Sequence, residues 1–191
     1  MSRADPINMS WGASEGLQAH FEILARYNRW ANARLYDAIA ALGDEPFRRD
    51  VGLFFGSLHR TLNHMLLADR IWLFRLTGEQ PEQGPLGRVL HEDLAALARA
   101  RIETDERLIR TVDDFPAGPI VETVRFRMMN GLDVQTSVTA VLSHLFNHQA
   151  HHRGQAHSAL TILGAGSVEL DLLLFELERA AGSRGPATGD H

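Results

Sequence analysis

The sequence predicts an all-α fold built on four long amphipathic helices, with one small β-hairpin before the last of them and a short C-terminal helix. Two observations carry this. Apolar residues recur at three- and four-residue steps in four separate stretches, each bounded by glycine or proline. A single β-branched and aromatic run folded about Asn130-Gly131 breaks the helical pattern, and Asn-Gly between such runs is a strong hairpin signal because both residues tolerate positive φ.

The first period runs through Leu17, Phe21, Leu24, Asn28, Ala31, Leu35, Ile39 and Leu42. Asn28 and Asn32 lie one turn apart on or beside its inward face. A buried amide is costly unless hydrogen-bonded, so the pair is expected to fasten this helix to a neighbour. Gly43 and Pro46 end the helix, and a loop to about Phe55 follows. The second helix starts near Gly56 and carries Leu58, Leu62, Met65, Leu66, Trp72, Leu73 and Leu76, with Gly78 at its end. Asp69 falls inside that stripe. It is either half of a buried ion pair, the preferred reading, or a group that orients a ligand histidine. His64 sits on the flank of the same stripe.

Pro81, Gly84, Pro85 and Gly87 interrupt the chain before a third, more polar helix that runs from Leu90 to about Thr111. Its charged residues from Glu92 to Arg110 are expected to form a solvated face, with no site. After the hairpin, the fourth helix starts near Ser137 with Val138, Val141, Leu142, Leu145, Ala156, Ala159, Leu160 and Leu163 inward. A short helix from Val168 to Ala181 follows, with Leu170, Leu173, Leu174 and Leu177 on one face. Residues 182–191 have no apolar side chain larger than alanine and are expected to be a disordered tail, which leaves the rest as one domain, 1–181.

Composition excludes several classes of function. The 191 residues hold no cysteine, so disulfides, thiolate metal sites and a cysteine nucleophile are ruled out. A net charge of -5 argues against nucleic acid as a partner, since counterion displacement needs a basic face. The N-terminal stretch lacks an apolar export segment, and no run approaches a membrane span, so a cytoplasmic protein with no membrane partner is expected.

The chemistry points to HLFNHQAHHRGQ, residues 144–155, where four of the ten histidines fall within nine residues. At roughly 100° per residue, His152 projects into the centre of the apolar stripe and His148 onto its edge. His144 and His151 lie past the edge, and His157 falls on the opposite flank. His144 and His152 are separated by about 12 Å of helix rise, too far to share one ion. His148 and His152 form an i, i+4 pair able to hold one divalent cation, with His64 the best third donor from another helix.

Three blocks, YNRWAN, GSLHRTLNHMLLADRIWLFRLTG and RFRMMNGLDVQTSVTAVLSHLFNHQAHHRGQAHSALTILG, together resemble the DinB/YfiT-like metalloenzyme family over most of positions 20–165. LDLLLFE near the C-terminus is similar to that family's last segment. The resemblance implies a four-helix bundle of up-down-down-up connectivity, a homodimer, and a divalent metal held by three histidines. By motif position these are His64, from LNHMLLAD, and His148 and His152, the first and last histidines of HQAHH. Three imidazoles leave coordination positions open, which suits zinc or nickel and makes hydrolysis or thiol addition to a small-molecule substrate chemically available. Asp69, His151, Arg153 and Gln155 are candidates for the shell around the ligands. Characterised relatives in the family include transferases of low-molecular-weight thiols and a thiol-dependent maleylpyruvate isomerase. With no cysteine in this chain, a reacting thiol has to be an external cofactor. The rival expectation is a non-catalytic metal-binding stress-response dimer, and neither reading assigns a catalytic residue.

Overall fold

A computed structural model describes residues 13–79, 84–115, 123–128 and 131–183. The helices are α1 (Ala13–Ala40), α2 (Asp44–Arg48), α3 (Leu58–Thr77), α4 (Leu94–Asp113), α5 (Val138–Ile162) and α6 (Leu172–Ser183). Strands β1 (Thr123–Arg127) and β2 (Asp133–Ser137) form an antiparallel pair between α4 and α5, in a register that sets Val124 opposite Thr136 and Phe126 opposite Val134. Asn130 of the expected turn and residues 184–191 of the expected tail lie outside the described residues, while Gly182 and Ser183 of that tail belong to α6. Gly131, beside Asn130, has the positive φ of 84° that its position requires.

Contacts along the four long helices give their directions. Gln18 reaches the Val112 carbonyl and Asn32 reaches Asp105, so α1 and α4 are antiparallel. His59 meets the His91 carbonyl and Asp69 meets Arg101, so α3 and α4 run the same way. The ring pairs His64–His152 and Trp72–His144 make α3 and α5 antiparallel. Phe21 stacks on Phe146 and Asn28 meets Arg153, so α1 and α5 are parallel. The connectivity is therefore up-down-down-up. The hairpin lies against one end of the α3/α5 pair, β1 on α3 and β2 on α5.

The helix ends follow local chemistry. Ser57, Asp93 and Ser137 cap α3, α4 and α5 by accepting from the backbone N–H three residues on. Gly78, with φ 77°, closes α3 in the left-handed conformation. Three expectations need correction. The loop after α1 contains α2, whose Pro46 sits in the first turn, where a missing N–H is harmless, and whose Phe47 is buried. The third long helix starts at Leu94 rather than Leu90, because Asn63 Oδ1 accepts the backbone N–H groups of Leu90 and His91 and holds them extended against α3. In α6 the buried residue is Phe175, packed on Tyr27 and Trp30, while Leu173 and Leu177 are 70% and 60% exposed.

The core is two apolar clusters with a polar layer between them. Leu35, Ile39, Leu62, Leu66, Leu97 and Leu160 belong to one; Phe21, Leu73, Leu108, Leu142, Leu145 and Phe146 belong to the other. On every long helix the layer falls between the two. Asn28 and Asn32 on α1 donate to Asp105 on α4 at 3.0–3.2 Å. Arg101 on α4 joins Asp105 to Asp69 on α3, at 2.9 and 2.8 Å. Arg153 on α5 donates to Asn28 and Asn32. Asp69, Arg101, Asp105 and Arg153 are all buried, so Arg101 and Asp105 depart from the solvated face expected for α4, while Glu92, Arg99, Glu103 and Arg110 stay exposed. Burial pushes the Asp69 carboxyl up to about 6 against the pull of Arg101, low enough to leave it ionised at neutral pH. Burial raises the Asp105 carboxyl as well, against the pull of Arg101 and the Asn32 hydrogen bond.

Removing one cation from such a layer strands the carboxylates it faced. Arg101→Met is expected to lower unfolding free energy by about 3–5 kcal/mol, read from urea titration of the purified protein. A loss of under about 1 kcal/mol, the range of an exposed pair, would show that the layer does not hold the bundle.

Candidate metal centre

His64 on α3 faces His148 and His152 on α5 because the two helices are antiparallel and in fixed register. Their immediate neighbours set that register: Gln149 is fully buried and its Nε2 donates to the Met65 carbonyl at 3.3 Å. The i, i+4 spacing then places His148 and His152 one above the other on the face turned to His64. His64 Nε2 lies 3.2 Å from His148 Nε2, which lies 3.1 Å from His152 Nε2. Each of the three residues offers one ligand nitrogen, all within 4.8 Å of one another.

Hydrogen bonds on the far side of two rings decide which nitrogen is free. His64 Nδ1 is 2.9 Å from the Leu86 carbonyl, which can only accept, so Nδ1 carries the proton. His152 Nδ1 is 2.8 Å from Gln155 Oε1, and the Gln155 amide nitrogen donates to His151 Nε2 at 3.1 Å. His152 is therefore also protonated on Nδ1. Both rings present a bare Nε2 lone pair to His148. A single proton on His148 Nε2 can satisfy one of them and leaves the other facing a donor already used. A cation resolves the conflict, and donors held 2.0–2.1 Å from a common ion would be separated by roughly 3.0–3.4 Å, which both spacings from His148 Nε2 match, with the third pair within 4.8 Å. The donor set fits a divalent metal that accepts imidazole.

The electrostatics keep these imidazoles in their ligand form. Burial, with the neighbouring imidazoles adding to it, pushes His148 down to about 3. Burial also lowers His64 and His152. All three are thus neutral at neutral pH, as metal binding requires. Phe55 stacks its ring on His64 at 4.0 Å and lies 5.8 Å from His152, covering one side of the cluster. His148 Nδ1 is buried with no hydrogen-bond partner among the described residues.

Of the residues expected around the ligands, Gln155 and His151 form a chain leading to His152, with His151 exposed and its ring 4.9 Å from that of His152. Asp69 and Arg153 instead make their ion pair and hydrogen bonds in the polar layer, to Arg101 and to the two asparagines. His144 is exposed, against Trp72, with its ring centre 5.7 Å from that of His148. Several contributors escaped sequence reasoning. Gln149 lies on the apolar stripe between Leu145 and Ala156, and Arg101 and Asp105 fall four and eight residues after Leu97, so periodicity could have found all three. The Leu86 carbonyl and the Phe55 ring come from irregular segments and carry no such signal.

The DinB family profile matches residues 17–184. Protein DinB of Bacillus subtilis (strain 168) is 24% identical over 165 residues, covering 80% of this chain and 91% of that protein. With the match extending from α1 to the end of α6 and including all three histidines, the chain belongs to the DinB family.

Proposed function

We propose that this protein is a divalent-metal-dependent enzyme acting on a small molecule, with His64, His148 and His152 as the metal ligands. The observation that carries the proposal is the convergence of three Nε2 atoms at 3.1–3.2 Å steps, two of them freed by hydrogen bonds on Nδ1. A zinc or nickel ion held there would supply Lewis acidity, with coordination positions left for a substrate atom or an external thiol.

The protein's own part is to hold and shield. Leu86 and Gln155 fix two ring orientations, and such partners are typically worth ten- to a hundredfold in metal affinity. Phe55 keeps water from one side of the cluster, while half-buried His148 and exposed His144 leave another side accessible. No cysteine is present to act as a nucleophile. An external low-molecular-weight thiol transferred to an electrophile, or water in a hydrolysis, is the nucleophile of this reading, and the substrate enters from the accessible side.

Titration of the metal-free protein with zinc and with nickel is expected to show one site per chain. Gln155→Ala should weaken it by about ten- to a hundredfold, and His64→Ala by more, since it removes a ligand rather than its support. Unchanged affinity in His64→Ala would refute the three-histidine site. The enzymatic part is tested separately, by offering the metal-loaded protein glutathione, bacillithiol or mycothiol with a panel of alkylating electrophiles, and a panel of activated esters without thiol. Turnover that a chelator abolishes is expected in one of these assays. Metal binding without turnover in any of them would contradict an enzyme of this kind.

A further inference from the structure

Arg75 sits near the C-terminal end of α3, held by aromatic rings and facing no anion among the described residues. Its guanidinium carbon is 4.5 Å from the Trp72 ring centre and 4.4 Å from that of Phe126 on β1. Those rings meet edge to face at 5.5 Å and form the corner in which Arg75 is seated. Arg26 and Arg29 each meet a carboxylate across the α1/α4 seam. Arg75 meets none among the described residues, and its buried Nε has no hydrogen-bond partner. Burial lowers its pKa, but a guanidinium stays charged at any physiological pH. Ring faces hold a guanidinium by its plane and leave the N–H donors at its edge unspent.

This cation adjoins the histidine cluster. The Trp72 ring is 4.8 Å from His144, which is 5.7 Å from His148. Arg75 follows His64 by eleven residues, about three turns, so the two share a face of α3 at roughly 16 Å of axial rise. The successive contacts of Arg75 with Trp72, Trp72 with His144 and His144 with His148 put the guanidinium within about 15 Å of the His148 ring. His148, His144, Trp72, Phe126 and Arg75 are each at least partly exposed, so solvent reaches both the edge of the imidazole cluster and the guanidinium.

We propose that Arg75 anchors the substrate and determines its class: an elongated small molecule whose carboxylate binds the Arg75 edge while its reacting end lies at His64, His148 and His152. The inference rests on the reading of those histidines as the metal centre. A carboxylate is the matching ligand because a planar, preorganised guanidinium edge donates two parallel hydrogen bonds to it. Arg75 acts here as a specificity residue, distant from the reacting atoms.

The test uses zinc-loaded full-length protein and three ω-mercaptocarboxylates, mercaptohexanoate, mercaptooctanoate and mercaptoundecanoate, each beside its neutral mercaptoalcohol, with affinity read by calorimetry at fixed ionic strength. Zinc is titrated first, without thiol, into wild type and variants. For at least one chain length, wild type should bind the acid about tenfold or more tightly than the alcohol, the preference expected of a charge-assisted bidentate pair. Arg75→Met should abolish that preference while zinc affinity and affinity for the alcohol stay as in wild type; Arg75→Lys, with a charge but no fork, should keep only part of it. Equal affinity of acid and alcohol for wild type at every length would overturn the proposal, and that comparison needs no variant to fold. A preference that survives in Arg75→Met would overturn it as well. Failure of zinc itself to bind would instead reject the metal centre, and this proposal with it.

Discussion

A layer of buried, oppositely charged side chains crosses the middle of the bundle, and the position of every histidine ligand depends on it. Asp69, Arg101, Asp105 and Arg153, bridged by Asn28 and Asn32, join all four long helices at one level between two apolar clusters. Apolar contacts are non-directional, so a bundle held by them alone could slide by a turn at little cost. Buried charges cannot, because each displaced pair would leave an uncompensated ion out of water. Such a layer adds little net stability compared with well-packed apolar residues, but it selects one register.

That register reaches the site through sequence neighbours. Arg153 follows His152, Gln149 follows His148, and Met65, whose carbonyl receives Gln149, follows His64. Fixing α3 against α5 at those positions fixes the distances between the Nε2 atoms. Hydrogen bonds from Nδ1 then fix which nitrogen is free, and burial keeps the rings uncharged. Bare nitrogen lone pairs facing one another have a use only when something positive lies between them.

Much of this was legible in the sequence, and the gaps have physical causes. Long apolar periods located the four helices, Ser137 marked the start of α5, and the Asn28–Asn32 pair announced a network before its partners were known. Helical angle alone separated His148 and His152 from His144 and His151. What a stripe cannot show is a short element such as α2, fixed by one buried ring, Phe47, rather than by periodicity. Nor does it show where a side chain captures backbone, as Asn63 does at Leu90 and His91. Arg101 and Asp105 were misjudged because charge was allowed to outweigh position, although both lie on the stripe of Leu97 and Leu108. The Leu86 carbonyl, on which the His64 tautomer depends, is a backbone group in a connecting segment, and only three-dimensional structure assigns it a role.

The most direct measurement is the crystal structure of the zinc-loaded protein with anomalous data collected across the zinc absorption edge. An anomalous peak about 2.0–2.1 Å from Nε2 of His64, His148 and His152, with non-protein ligands completing its coordination, is the result this account predicts. A peak bound through an Nδ1 atom, placed elsewhere on the protein, or closed by a fourth protein ligand would contradict it.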